Sequence, residues 1–124
     1  MDRLAEPRVR AIRGATTARA NTAAAILEAT RELVVALQEA NGFEPDDIVS
    51  AIFTATPDLT AAFPATAARE AGWRVPLLDA VEMDVPGAPP MCVRALVQVY
   101  TERRPDELHH VYLHGAARLR PDLA

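Results

Sequence analysis

The sequence predicts an α+β fold, a mixed β-sheet carried by one long helix and several short helical turns. Apolar runs rich in β-branched residues, such as IVSAIFTAT and CVRALVQVY, recur between Pro, Gly and Asp breaks. Only one segment holds helical periodicity for several turns. A chain of 124 residues is one domain, and a sheet of about five strands exposes more apolar face than one helix covers. Another subunit is therefore expected to cover the rest.

Residues 1–7, MDRLAEP, are polar and end in Pro, which predicts a short extension before a single domain at residues 8–124. RVRAIRGATT then alternates: Val9, Ala11 and Arg13 share one face, so Arg13 stands where the period asks for an apolar side chain. Taken alone, Arg13 reads as a strand-end arginine reaching water along its apolar stem. Gly14 either ends the strand or lets backbone pass close to a ligand.

Asn21 or Thr22 is suited to cap the helix that follows. Ile26, Ala29, Leu33, Leu37 and Ala40 recur on one face, and Gly42 after Asn41 supplies the stop. Glu28, Arg31, Glu32 and Glu39 fall mostly elsewhere, so this helix is assigned packing rather than chemistry.

Pro45, Asp46 and Asp47 predict a helical turn leading into IVSAIFTAT, read as a buried strand that Pro57 and Asp58 stop. Pro64 opens a short helix with Arg69 on its second turn and Gly72 at its end. Phe63, just before it, is either a staple into the core or the wall of a site, and the core role is the commoner one for an isolated Phe. Strands over residues 73–79 and 92–100 flank VPGAPP, a loop stiffened by three prolines. RRPDEL is a further turn, HHVYL a short strand, and AARL after Gly115 a last strand ending in Arg120, Pro121 and Asp122.

Two charges do not fit their surroundings. Glu82 follows Leu77, Leu78, Ala80 and Val81, and Arg94 sits inside Cys92, Val93, Ala95, Leu96 and Val97. A lone carboxylate or guanidinium in an apolar run is costly unless it meets a partner, a ligand or solvent.

Composition narrows the chemistry. A net charge of -4 gives no basic patch for nucleic acid. All 13 basic residues are Arg, which with the heavy Ala usage reflects GC-rich coding, so position rather than abundance must carry any inference about arginine. The single Cys92 excludes an internal disulfide and a Cys-based metal site. The start has no apolar leader and no stretch is long enough to span a bilayer, so a cytoplasmic protein without membrane contact is expected. His109, His110 and His114 lack carboxylate or thiolate partners at ligand spacing, so no metal is expected. No phosphate loop, G-x-S-x-G elbow or Ser-His-Asp set supplies a nucleophile. Arg13, Arg69, Arg94 and Arg120 remain, with Glu82 and Tyr112 nearby in sequence. Such a set suits a small ligand carrying carboxylates, because guanidinium forks match carboxylate geometry.

IRGATT, ATPDL with AAFPA, VPLLDAVEMDVPG, CVR, HVYL and LRPDL occur in this order from Val9 to Leu123. Together they resemble the trimeric, mixed α/β class of monofunctional chorismate mutases. The resemblance implies a trimeric pseudo-α/β-barrel with active sites at subunit interfaces. It also implies a cofactor-free Claisen rearrangement of chorismate to prephenate in phenylalanine and tyrosine biosynthesis. By the same resemblance Arg94 meets the ether oxygen and a carboxylate, Arg13 binds a carboxylate, and Glu82 faces the ring hydroxyl. Tyr112 reaches a carboxylate, while Phe63, Ala65, Leu77, Leu78, Ala80, Val81 and Leu119 line the pocket and Arg69 and Arg120 stand at its mouth. Asp79 replaces a Cys of a well-known member, which implies two carboxylates, Asp79 and Glu82, crowding the hydroxyl and a raised pKa for one. Thr66 replaces a Lys found near the entrance in some members. A non-catalytic trimer that binds a carboxylated metabolite is the alternative, since fold alone does not fix function. A small trimeric deaminase-like enzyme, which needs a positioned water, is a third reading.

Overall fold

The computed structural model describes residues 6–122, so most of the expected extension at residues 1–7, and Leu123, lie outside the described residues. The chain runs β1 (Arg8–Thr17), α1 (Ala23–Asn41), a 3-10 turn (Pro45–Asp47), β2 (Ile48–Ala55) and α2 (Pro64–Glu70). It continues through β3 (Leu77–Val81), β4 (Cys92–Thr101), a second 3-10 turn (Pro105–Glu107), β5 (Val111–Tyr112) and a 3-10 segment (His114–Leu119). The strands form one sheet of order β3-β2-β4-β1-β5. β4 is antiparallel to β1 and β2, while β2–β3 and β1–β5 are parallel. β1-α1-β2 and β2-α2-β3 are thus crossover units, and they pack both helices on one face.

That face is the core. Ile12, Phe53, Val93, Val97 and Val99 of the sheet are fully buried against Ile26, Leu33, Val34 and Leu37 of α1 and against Trp73. Each such side chain contributes about 1.5–3 kcal/mol by leaving water. Thr22 caps α1 by accepting the Ala25 N–H at 3.1 Å, and Gly42 ends it in the left-handed region at φ 66°. Gly14 lets the layers close, since a Cβ there would stand 3.0 Å from Leu33 Cδ1 and Leu37 Cδ1 and 3.2 Å from the Val111 carbonyl. Asn41 then ties the helix end to the segment entering β5, donating to the His109 carbonyl and accepting the His109 N–H.

Several sequence expectations are corrected. On β1 the face of Val9, Ala11 and Arg13 is exposed over most of its length, and Ile12 on the opposite face meets α1. β2 is buried on one face only, with Ile52 41% exposed on the other. Ala40 lies outside the core face of α1 and is exposed. The strand expected over residues 73–79 begins at Leu77, because the Trp73 N–H closes α2 on the Ala68 carbonyl and Pro76 has no N–H to donate. AARL is helical rather than a strand. It has no β-branched residue, and His114, at φ 51°, turns the chain into the 3-10 segment.

The second sheet face lacks a layer of its own among the described residues. Leu78, Ile52, Leu96 and Arg13 pair across β3, β2, β4 and β1 to form one row on it, and all four are exposed. Only its end near Ala15 is covered, where Ala116 and Leu119 of the 3-10 segment pack against Ala15 and Cys92.

Candidate active site

Arg94, Thr54 and Ala80 are register partners across β4, β2 and β3, and Ala15 and Tyr112 continue the row across β1 and β5. Side chains in one row share a face, so Arg94, Thr54 and Tyr112 project toward the uncovered side. A recess of about 300 Å³ lies there, lined by Arg13, Thr54, Glu82, Arg94 and Tyr112 with Ile52 and Leu96. Four of the predicted site residues, Arg13, Glu82, Arg94 and Tyr112, are therefore brought together.

Glu82 is anchored just beyond β3, its N–H donating to the Ala55 carbonyl at 2.9 Å. Its Oε1 accepts the Thr54 hydroxyl and stands 3.4 Å from Arg94 Nε. That distance gives attraction without hydrogen-bond alignment, so Arg94 Nε is buried with no hydrogen-bond partner among the described residues. Arg94 lines the recess, so a ligand that enters it can offer this guanidinium an acceptor.

The C-terminal segment lies near Tyr112 at one side of the recess. Arg120 holds Asp122 through two contacts, Nε–Oδ1 at 3.1 Å and Nη2–Oδ2 at 2.9 Å, which keeps the Asp122 carboxyl below the usual range. Tyr112 lies beside Arg120. His110 Nδ1 accepts the backbone N–H of Arg13 at 3.0 Å. Burial, then the nearby Arg13 and Arg120 charges, lower the His110 pKa, in keeping with a neutral ring whose Nδ1 is free to accept. Burial pushes the Cys92 thiol up, which leaves it a poor nucleophile.

The other predicted residues lie apart. Phe63 is 71% exposed, so it is no core staple; it lines a second recess, of about 460 Å³, with Asp79, Ala80 and Val81. The two recesses share no lining residue. Leu78 is exposed on the uncovered face, Ala65 is buried, Leu77 packs on the main core and Leu119 on the small cluster around Ala15. Arg69 is exposed, with its charge acting on Asp79.

Asp79 corrects another expectation. Its Oδ1 accepts the Ala65 N–H at 3.0 Å, and the alternation of β3 turns it to the face opposite Glu82. Its pKa is indeed raised, but burial is the cause, not a second carboxylate. Sequence reasoning missed Thr54 and the acceptor role of His110. Thr54 read as one more β-branched strand residue, although its alternation with Ile52 would have placed it on the Arg94 face.

Two arginines and one oriented carboxylate thus share a recess on the open face of a small mixed sheet, an arrangement whose chemistry suits a small carboxylated ligand. The chain belongs to the chorismate mutase type I family, which matches residues 9–123. It is 51% identical over 117 residues to chorismate mutase AroH of Thermus thermophilus, covering 93% of this chain and 96% of that one. It is 44% identical over 118 residues to AroH of Bacillus subtilis (strain 168), covering 94% and 93%. A solved chorismate mutase from Clostridium thermocellum superposes with a TM-score of 0.86 at 48% identity, covering 88% of this chain and 98% of its own.

Proposed function

We infer that this protein is a chorismate mutase, an isomerase converting chorismate to prephenate in the aromatic amino acid pathway of the cytoplasm. The observation that carries the reading is the meeting of Arg13, Glu82, Arg94 and Tyr112 in one recess of a family member. The reaction is a Claisen rearrangement: an ether C–O bond breaks as a C–C bond forms, within one molecule and with no proton transferred. The protein's task is to hold the folded conformer and to meet charge as it develops.

In this reading the Arg94 guanidinium bonds the ether oxygen, where negative charge grows, and one carboxylate. Arg13 and Tyr112 hold carboxylate, with Arg120 at the mouth. Glu82 spends Oε1 on Thr54, which leaves its other oxygen for the ring hydroxyl. The enzyme works as a homotrimer whose bare sheet faces meet in a barrel-like core. A neighbour's Phe63 wall, with Ala65, Arg69, Leu77, Leu78, Asp79, Ala80 and Val81 around it, completes each site. Supporting this are the exposed Leu78–Ile52–Leu96 row and the division of the lining residues between two recesses.

Incubating purified protein with chorismate and following the loss of its absorbance tests the assignment. Rapid loss with appearance of prephenate is expected. Binding of chorismate without turnover would instead favour the non-catalytic carboxylate binder.

A further inference from the structure

We propose a second anion site, at the far end of the sheet and on its helical face, that takes a compact dianion such as a phosphate or a dicarboxylate. It does not depend on the mutase reading. Arg8 and Arg10 alternate onto the same face of β1 as Ile12, but at the strand's start they lie beyond the main core. Thr101, the register partner of Arg8, leads into Arg103, whose Nη1 donates to the Ala40 carbonyl at the end of α1 at 3.3 Å. Gly42 makes room for this arginine, since a Cβ there would meet Arg103 Nη2 at 2.9 Å.

The result is a recess of about 270 Å³ lined by Arg8, Arg10, Arg103 and Arg104 against Glu6 and Glu102. With Asp106 beside Arg104, four cations face three anions, an excess of one positive charge. Arg104 has a carboxylate at 3.6 Å, Asp106, but Arg8, Arg10 and Arg103 have none within 4.0 Å among the described residues. Arginines without a carboxylate partner also occur elsewhere in the chain, so what marks this place is that four arginines line one recess. The negative end of α1 accounts for Arg103. It leaves Arg8 and Arg10 unexplained, and Arg10 Nε is buried with no hydrogen-bond partner among the described residues. Arg10 and Arg8 both line the recess, so a dianion that enters it offers each guanidinium a charged acceptor.

The test is calorimetric titration of the full chain with sodium phosphate and, separately, sodium malonate, in Tris chloride at fixed ionic strength. We expect a dissociation constant of about 1 mM or tighter for at least one of them. Binding should persist in Arg94→Ala, which disables the candidate active site. It should weaken at least about tenfold in Arg8→Gln and Arg10→Gln, while both keep wild-type turnover of chorismate. If Arg10→Gln does not fold, Arg8→Gln at an exposed position decides alone. The tighter of the two ions separates a phosphate ligand from a dicarboxylate. Failure of both ions to bind, or binding lost in Arg94→Ala and kept in Arg8→Gln, overturns the proposal.

Discussion

Glu82 and Arg94 belong to segments on opposite sides of β2, yet Glu82 Oε1 comes within 3.4 Å of Arg94 Nε above Thr54. Their side chains are 20% and 42% exposed, and an ion pair this accessible contributes at most about 1 kcal/mol to folding. Stability therefore gives little reason to place the two charges in apolar runs. A ligand gives a better one, and the predictions follow from it.

Replacing Arg94 by Ala removes the donor proposed to meet the ether oxygen, where charge develops mainly in the transition state. The loss should fall on kcat more than on KM, by about 3 kcal/mol or roughly 100-fold at least. Lys keeps the charge without the fork and should rescue only part of the rate. Steady-state kinetics on folded Arg94→Ala that showed wild-type kcat would make Arg94 a structural residue.

Thr54→Val removes the hydroxyl on Glu82 Oε1 while keeping the shape, which frees the carboxylate to swing toward Arg94. A fall in kcat of about tenfold is expected, and Thr54→Ser should retain most of the rate. Equal losses in both variants would place the effect in packing instead.

The His110 pKa is lowered from 6.5, so below that value the unfolded chain binds more protons than the folded one. The contribution to stability is complete above pH 6.5 and is lost as pH falls from there toward the lower folded value. Protonation would also break the acceptor role of Nδ1 toward the Arg13 N–H. Melting temperature should drop between neutral and mildly acidic pH, and His110→Asn, which keeps an acceptor, should flatten that drop. Identical pH profiles for the two proteins would sink the prediction.

Ile52→Asp puts a charge on the bare sheet face. The protomer should stay folded, because Ile52 is 41% exposed there, but the proposed trimer should dissociate. Sedimentation velocity reads the outcome. A variant that remained trimeric would show that this face is not the interface.

Much of this was legible in sequence. Gly42 marked the end of α1 and Asn21 or Thr22 its start, with Thr22 the cap, because capping is a local matter of one side chain and one backbone conformation. Glu82 and Arg94 were visible because a charge in an apolar run is conspicuous whatever its partner. What remained hidden depended on which sheet face the helices cover. Alternation alone assigns Val9, Ala11 and Arg13 to one side without saying whether that side is the core. The same ambiguity hid Thr54, whose importance comes from a carboxylate 28 positions later in the chain.

The recess draws on both ends of the chain: β1 contributes Arg13, and β5, two residues long and paired with β1 alone, contributes Tyr112. Arg13 and His110, hydrogen-bonded to each other, are 97 positions apart. Contacts that close so long a loop form late and slowly. The recess is therefore incomplete until β5 has docked beside β1. On the proposed assignment, the appearance of catalysis would report the docking of β5, and a chain truncated before Tyr112 should have no partial activity.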